Sequence, residues 1–313
     1  MGLGLAALGR PGYINLGREK DLESRSVEAM RQRAFEVLDA AFDAGVRWFD
    51  AARSYGLAEE FLGDWLRARG IGPSEVCVSS KWGYRYVAEW RVDTEGAPHE
   101  VKDHSLGHLE RQTAETLAAL GDYVDLYQIH SATFESGVLD NAEVLERLAS
   151  LKAERGWKIG LSVSSPRQAD VIAAALERRV GDVPLFDSCQ CTFNVLESAP
   201  GDALLAARRA GLAVIVKEAL ANGRALDCAP LVTAAHRLDV PVDALALAAV
   251  LAQPFEPYVL SGAVTTAQLD SNLRAAEIAD RLRADPVFLA TLMRDCRQDS
   301  EAYWADRAAL VWS

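Results

Sequence analysis

The stretch Val46-Arg47-Trp48-Phe49-Asp50-Ala51-Ala52-Arg53-Ser54-Tyr55-Gly56 decides how this chain is read. Residues 46–49 include three apolar or aromatic side chains and no Gly or Pro, the composition of a short, largely buried strand. Gly45 before them suits the end of a helix, and a helical pattern resumes at Ala58. Asp50 therefore stands where a strand runs out, and Tyr55 lies in a turn closed by Gly56. A carboxylate and a phenol at the exit of a strand, within a strand–loop–helix unit, sit where an α/β barrel carries its chemistry.

The same unit recurs on both sides. Residues 2–8 read as a first strand and residues 9–25 as a polar loop. Ser26 caps a helix reaching about Ala44, with Val27, Met30, Ala34, Val37, Leu38, Ala41 and Phe42 near helical spacing. After a helix at 58–69, further strands are expected at 76–80, 124–129, 159–163, 188–192, 213–216 and 258–260. Helical patterns separate them, an aromatic-rich loop spans 82–103, and the tail from Asp285 is helical or irregular. Eight alternations imply parallel strands with crossover helices, and eight favour closure into a (β/α)8 TIM barrel. No break in composition divides the 313 residues, so one domain over 1–313 is expected. No GxGxxG follows the first strand, which argues against an open dinucleotide-binding sheet.

Composition narrows the function. The net charge of −12, from 33 basic and 45 acidic residues, disfavours nucleic acid and anionic lipid as partners. No apolar run has the length of a membrane span, and the first ten residues lack the pattern of a secretory signal. The five Cys are odd in number and contain no CxxC, which fits reduced thiols in a cytoplasmic protein. Cys189 and Cys191 would share one face of a strand, with Gln190 on the other. No metal site is expected.

Asp50, Lys81 and His130 fall at predicted strand ends, and Tyr55 just beyond one. Strand ends converge at a barrel mouth, so these four become neighbours there. The chemistry they suit is proton exchange with a carbonyl oxygen. A free phenol, with a pKa near ~10, is too weak an acid for that at neutral pH. A nearby ammonium from Lys81 would favour the phenolate, and Asp50 would hold Lys81 charged and in place. His130 would orient the substrate oxygen. None of these groups is a reductant, so hydride has to come from a cofactor.

The run Asp50-x-Ala52-x-x-Tyr55-Gly56, then Ser80-Lys81, then Asp125-Leu126-Tyr127-Gln128-Ile129-His130, resembles the aldo-keto reductase superfamily. The likeness continues through Gly262, Gln268-Leu269 and Asn272 to the tail Tyr303-Trp304-x-x-Arg307-x-x-Leu310, and covers nearly the whole chain. Detailed likeness of the first loop and the tail points toward bacterial aldose or pyridoxal dehydrogenase-like members. The resemblance implies a nicotinamide cofactor, NADP(H) or NAD(H), extended across the barrel mouth, with Asp50, Tyr55, Lys81 and His130 as the catalytic set. It also implies that Gln190 and Ser162 hold the carboxamide, with Leu220 and Gly223 in the loop over the pyrophosphate, where Lys217 is a further candidate. Ser261, Gly262, Thr265, Gln268 and Asn272 would lie at the adenosine end.

Four departures stand out. Ser162 is followed by Val163 where the family commonly has Ser-Asn. Val264, Thr265 and Thr266 occupy the stretch where NADP-preferring members often carry an Arg, which leaves the choice of dinucleotide open. Lys217-Glu218 replaces a Ser-Pro type pair, either to meet a phosphate or to pair internally. Many relatives begin with a hairpin that plugs the barrel bottom, whereas the given sequence starts almost at the first strand; either the bottom is covered otherwise or the given start omits a segment.

Trp82, Tyr84, Ser131 and Phe134, with the loop at 9–13, are the expected substrate walls, suiting a sugar lactol or a small aromatic aldehyde. The reading is an NAD(P)-dependent oxidoreductase acting on a carbonyl or alcohol. Two others stay open: a cofactor-binding regulatory subunit similar to potassium-channel β subunits, and a nonoxidative enzyme that uses bound cofactor transiently.

Overall fold

The computed structural model describes residues 1–21 and 24–313, with the backbone alone for Arg18 and Glu19. Residues 22–23 of the expected first loop lie outside the described residues. Eight parallel strands close into a barrel: β1 (Gly2–Gly4), β2 (Trp48–Asp50), β3 (Cys77–Trp82), β4 (Val124–Ala132), β5 (Lys158–Val163), β6 (Ser188–Thr192), β7 (Ala213–Lys217) and β8 (Tyr258–Ser261). Each strand pairs with its neighbours in sequence, and β1 closes the ring by pairing with both β2 and β8. The expected barrel is the observed one.

Alternation along the strands sorts the side chains. Cys189 and Cys191 point into the apolar layer between sheet and helices, while Gln190 between them enters the barrel, where its amide reaches Asp50. Phe49 likewise packs outward on Trp65, with ring centres 5.3 Å apart, leaving Trp48 and Asp50 inside. Helix Val27–Asp43 buries Met30, Ala34, Val37, Leu38 and Ala41, and Ser26 Oγ accepts a hydrogen bond from Ala29 N at 3.1 Å as its cap. Trp48, Leu126, Ile215 and Leu260 form a small apolar cluster of their own at the barrel floor. Tyr258 lies against Trp48 at 4.7 Å between ring centres.

Some boundaries differ for local reasons. The second strand begins at Trp48 because Val46 N still donates to Ala41 O at 2.8 Å, closing the preceding helix. The first strand is only three residues long, because Leu8 N and Gly9 N both turn back to Leu5 O. The aromatic-rich loop contains a hairpin, Tyr84–Tyr86 paired with Glu100–Lys102. Among the described residues, no helix is long and apolar enough to cross a membrane, and no group of His, Cys, Asp and Glu could hold a metal ion.

Candidate active site

Asp50, Lys81 and His130 emerge at the C-terminal ends of β2, β3 and β4, so barrel closure gathers them at one mouth. Lys81 Nζ donates to Asp50 Oδ2 at 2.5 Å and to Ala51 O at 2.8 Å, and both side chains are almost fully buried. The same ammonium lies 4.7 Å from the centre of the Tyr55 ring. Tyr55 also meets the His130 ring edge-on at 5.4 Å. His130 Nδ1 is 3.3 Å from Ser54 Oγ. When Ser54 donates to Nδ1, Nε2 keeps its hydrogen and can donate onward. Burial and the Lys81 charge hold the His130 pKa well below the ordinary 6.5, so the imidazole is neutral.

A buried ion pair is stable only when its remaining lone pairs are also used. Asp50 Oδ1 accepts from Ser79 Oγ at 2.7 Å and from Gln190 Nε2 at 3.2 Å. In the helix that follows, the fully buried Glu59 accepts from Ser80 Oγ, from Thr116 Oγ1 at 2.9 Å and from Arg53 at 2.7 Å. Sequence reading missed Ser79 and Glu59. The period-two pattern of β3 places Ser79 and Lys81 on one face, and that was the signal available.

The turn bearing Tyr55 is set by backbone contact. Leu57 N donates to Gly9 O at 2.7 Å. A Cβ on Gly9 would come within 2.3 Å of Tyr55 O, and one on Gly56, at φ +63°, within 2.4 Å of Gly9 O. Only glycine permits this approach, and it locks the loop after β1 to the Tyr55 turn.

Arg10, from that same loop, was expected only as part of a pocket wall. It is instead 2 % exposed, with its guanidinium 5.0 Å from the Tyr55 ring, 4.8 Å from Tyr13 and 4.7 Å from Trp312. It donates to Glu100 Oε1 at 2.7 Å and to Ser54 O at 3.1 Å. Burial first, then the Asp50 carboxylate, pushes the Tyr55 pKa well above 10, and Arg10 pulls the other way. The phenol is therefore protonated at neutral pH, the form that can give a proton. The sequence argument that a cation favours the phenolate is outweighed here by burial, and the Lys81 charge is balanced by its Asp50 partner.

A cleft of about 480 Å³ opens beside this cluster. Asp50, Tyr55 and Gln190 line it where it meets this cluster, and Lys217, Leu220, Gly223, Ser261, Gly262, Gln268 and Asn272 line the rest. These residues come together as expected. Ser162 is fully buried at the end of β5, where its hydroxyl accepts from Ser131 N at 2.8 Å. Thr265 is outside the lining, its hydroxyl capping helix Thr266–Leu273 by accepting from Gln268 N at 3.1 Å. Lys217 Nζ donates to Thr192 Oγ1 at 2.6 Å and Ser164 Oγ at 2.8 Å, while Glu218 is held by Arg307 from the tail.

Of the expected substrate walls, Tyr84 lies 5.0 Å from the His130 ring. Trp82 is fully buried against His104 at 5.6 Å, because β3 continues one residue past Lys81 and turns that side chain outward. Phe134 is on the surface under the Arg167 guanidinium at 4.5 Å.

The cleft fits an extended dinucleotide. Gln190 Oε1 and Asn222 Oδ1 are buried in its wall with no hydrogen-bond partner among the described residues, a costly state that a ligand's amide or hydroxyl donors would relieve.

The profile of the Aldo/keto reductase family matches residues 2–286. The oxidoreductase YqkF of Bacillus subtilis is 25 % identical over 303 residues, 88 % of this chain and 89 % of that protein. An aryl-alcohol dehydrogenase [NADP(+)] of Phanerodontia chrysosporium is 28 % identical over 139 residues, 43 % of this chain and 34 % of that protein. The aldo-keto reductase AKR11C1 from Bacillus halodurans, in its holo form, superposes with a TM-score of 0.69 over 96 % of this chain and 94 % of that one, at 20 % identity, which speaks to the fold. The chain belongs to the aldo/keto reductase family and is an oxidoreductase.

Proposed function

We propose that this protein interconverts a small carbonyl compound and its alcohol with a nicotinamide dinucleotide, Tyr55 exchanging the proton with the substrate oxygen. The observation that carries the reading is the Asp50–Lys81 pair against the Tyr55 ring, beside a long cleft with unsatisfied polar walls. Bound in that cleft, the dinucleotide supplies or accepts the hydride.

The chain's own part is positional and electrostatic. In reduction, Tyr55 gives its proton to the carbonyl oxygen as the carbon gains hydride. The neutral His130 holds that oxygen by donating a hydrogen bond. Lys81 balances the phenolate left behind, and Asp50 fixes Lys81. Gln190, tethered to Asp50, has its oxygen free for the carboxamide N–H. In the alcohol-oxidising direction the phenol has to lose its proton first, so activity rises toward alkaline pH.

Tyr84 near His130 and Tyr13 in the cleft wall give the substrate end an aromatic lining. Together with the partial likeness to aryl-alcohol dehydrogenases, this favours small aromatic aldehydes and their alcohols over sugar lactols. The test is turnover, followed by nicotinamide absorbance, across a panel of aromatic aldehydes, aliphatic aldehydes and sugars. Aromatic aldehydes are expected to lead; silence across the whole panel despite dinucleotide binding would contradict the enzyme reading.

A further inference from the structure

Around Gln268 and Asn272 the cleft carries carboxylates and, among the described residues that line it, no cation. Asp21 and Asp243 line this part, and the one basic side chain among the described lining residues, Lys217, is held by Ser164 and Thr192 at the ends of β5 and β6. Both carboxylates are fixed in place. Asp21 Oδ2 accepts from Gln268 Nε2 at 2.9 Å, and Asp243 Oδ1 accepts from Ser271 Oγ at 2.9 Å. The Asn272 amide is oriented with its nitrogen donating to Asp243 Oδ2 at 2.9 Å and its oxygen accepting from Ser261 Oγ at 2.8 Å. The groups that might otherwise greet an anion are committed elsewhere. Val264 N donates to Gln268 Oε1 at 2.9 Å, and the Thr265 hydroxyl caps the following helix.

We infer that this part of the cleft selects a dinucleotide with a free 2′-hydroxyl on its adenosine ribose, NAD(H), over one carrying a 2′-phosphate, NADP(H), and that Asp21 and Asp243 enforce the choice. The inference rests on the proposed function, which puts the nicotinamide at Tyr55 and hence the adenosine at Gln268 and Asn272. A phosphomonoester carries about −1.5 to −2 charges at neutral pH. Brought beside two half-buried carboxylates with no counter-cation among the described lining residues, it meets repulsion and loses the charge-assisted contacts that normally hold it. A ribose diol, in contrast, donates hydrogen bonds to a carboxylate, the arrangement by which an acidic side chain reads the 2′-hydroxyl in other dinucleotide sites. The selectivity therefore comes from a repulsive element as well as from a missing Arg.

The experiment is a binding titration of the purified protein with NADH and with NADPH, read by calorimetry or by quenching of tryptophan fluorescence, with no substrate present. NADH is expected to bind at least about tenfold more tightly. Asp21→Asn/Asp243→Asn should tighten NADPH by about tenfold while leaving NADH unchanged or weaker. Asp21→Lys, at the end of the short helix Arg18–Asp21, should act in the same direction. Raising the salt concentration should narrow the gap in the unmodified protein. NADPH binding as tightly as NADH, or aspartate variants that leave the ratio unmoved, would overturn the inference while the cofactor reading stands. Failure of both dinucleotides to bind would overturn the two together.

Discussion

Arg307, in the last helix, grips Glu218, the first residue after β7, through hydrogen bonds of 2.5 and 2.8 Å to its two carboxylate oxygens. This fork ties the C-terminal tail to the wall of the cleft. Glu218 is nearly fully buried, and burial pushes its pKa up, but Lys217 and Arg307 together hold it at about 2. Removing Arg307 leaves the carboxylate with Lys217 as its remaining charge partner, 3.7 Å away. Arg307→Met is expected to cost of order 3 kcal/mol in urea unfolding, and Arg307→Met with Glu218→Gln distinctly less, because the double change removes the stranded charge as well. A double variant as unstable as the single one would show that the pair, rather than the desolvated charge, carries the energy.

Lys81 is the second case of a charge that cannot be left alone. Lys81→Met strands Asp50 in the barrel interior and removes the cation beside Tyr55. Turnover should fall by about 10²-fold or more, with dinucleotide affinity changed far less. Near-normal turnover would remove Lys81 from the reacting set.

The contact between Gly9 and Gly56 predicts a contrast between two glycines of similar backbone angle. Gly56, at φ +63°, faces Gly9 O, whereas Gly70, at φ +64°, faces open space. Gly70→Ala should cost about 1 kcal/mol, the price of a left-handed alanine, and leave activity intact. Gly56→Ala should cost clearly more and lower kcat, because the clash moves the turn that carries Tyr55. Thermal melts and turnover of the two variants, side by side, check this; equal effects would mean the approach of the two loops is unimportant.

Acid should destabilise the fold through its buried histidines. Burial lowers the pKa of His104 from 6.5 to about 4, and those of His108 and His130 also fall below 6.5. A depressed folded-state pKa means the contribution is fully present above pH 6.5 and is lost as pH falls toward and through 4. His104 alone accounts for about 3 kcal/mol of that loss. Chemical denaturation at pH 7 and near pH 4 should show the drop, and His104→Gln should shrink it. A pH slope unchanged by that substitution would contradict the assignment.

The parts of the site that were legible in the sequence are those fixed by strand periodicity. Asp50, Lys81 and His130 could be placed because each ends a short apolar run, and closure of the barrel does the rest. Gln190 could be aimed inward because Cys189 and Cys191 bracket it. What escaped were contacts made only when distant loops meet. Arg10 touches Tyr55, Glu100 and Trp312, partners from three separate segments, and nothing local marks it as buried. Glu59 reads as an ordinary acidic residue in the first turn of a helix, yet it is sealed under Ser80 and Thr116. Trp82 was misread because a strand boundary moved by a residue, which reverses the side of the sheet a side chain faces.

The central claim is that the Tyr55 hydroxyl carries the proton. Its most direct test is Tyr55→Phe, which keeps the ring against Lys81 and His130 and removes one oxygen. Turnover of an aromatic aldehyde should fall by about 10²- to 10⁴-fold while dinucleotide binding, followed by fluorescence, stays as in the unmodified protein. Undiminished turnover in that variant would contradict the account.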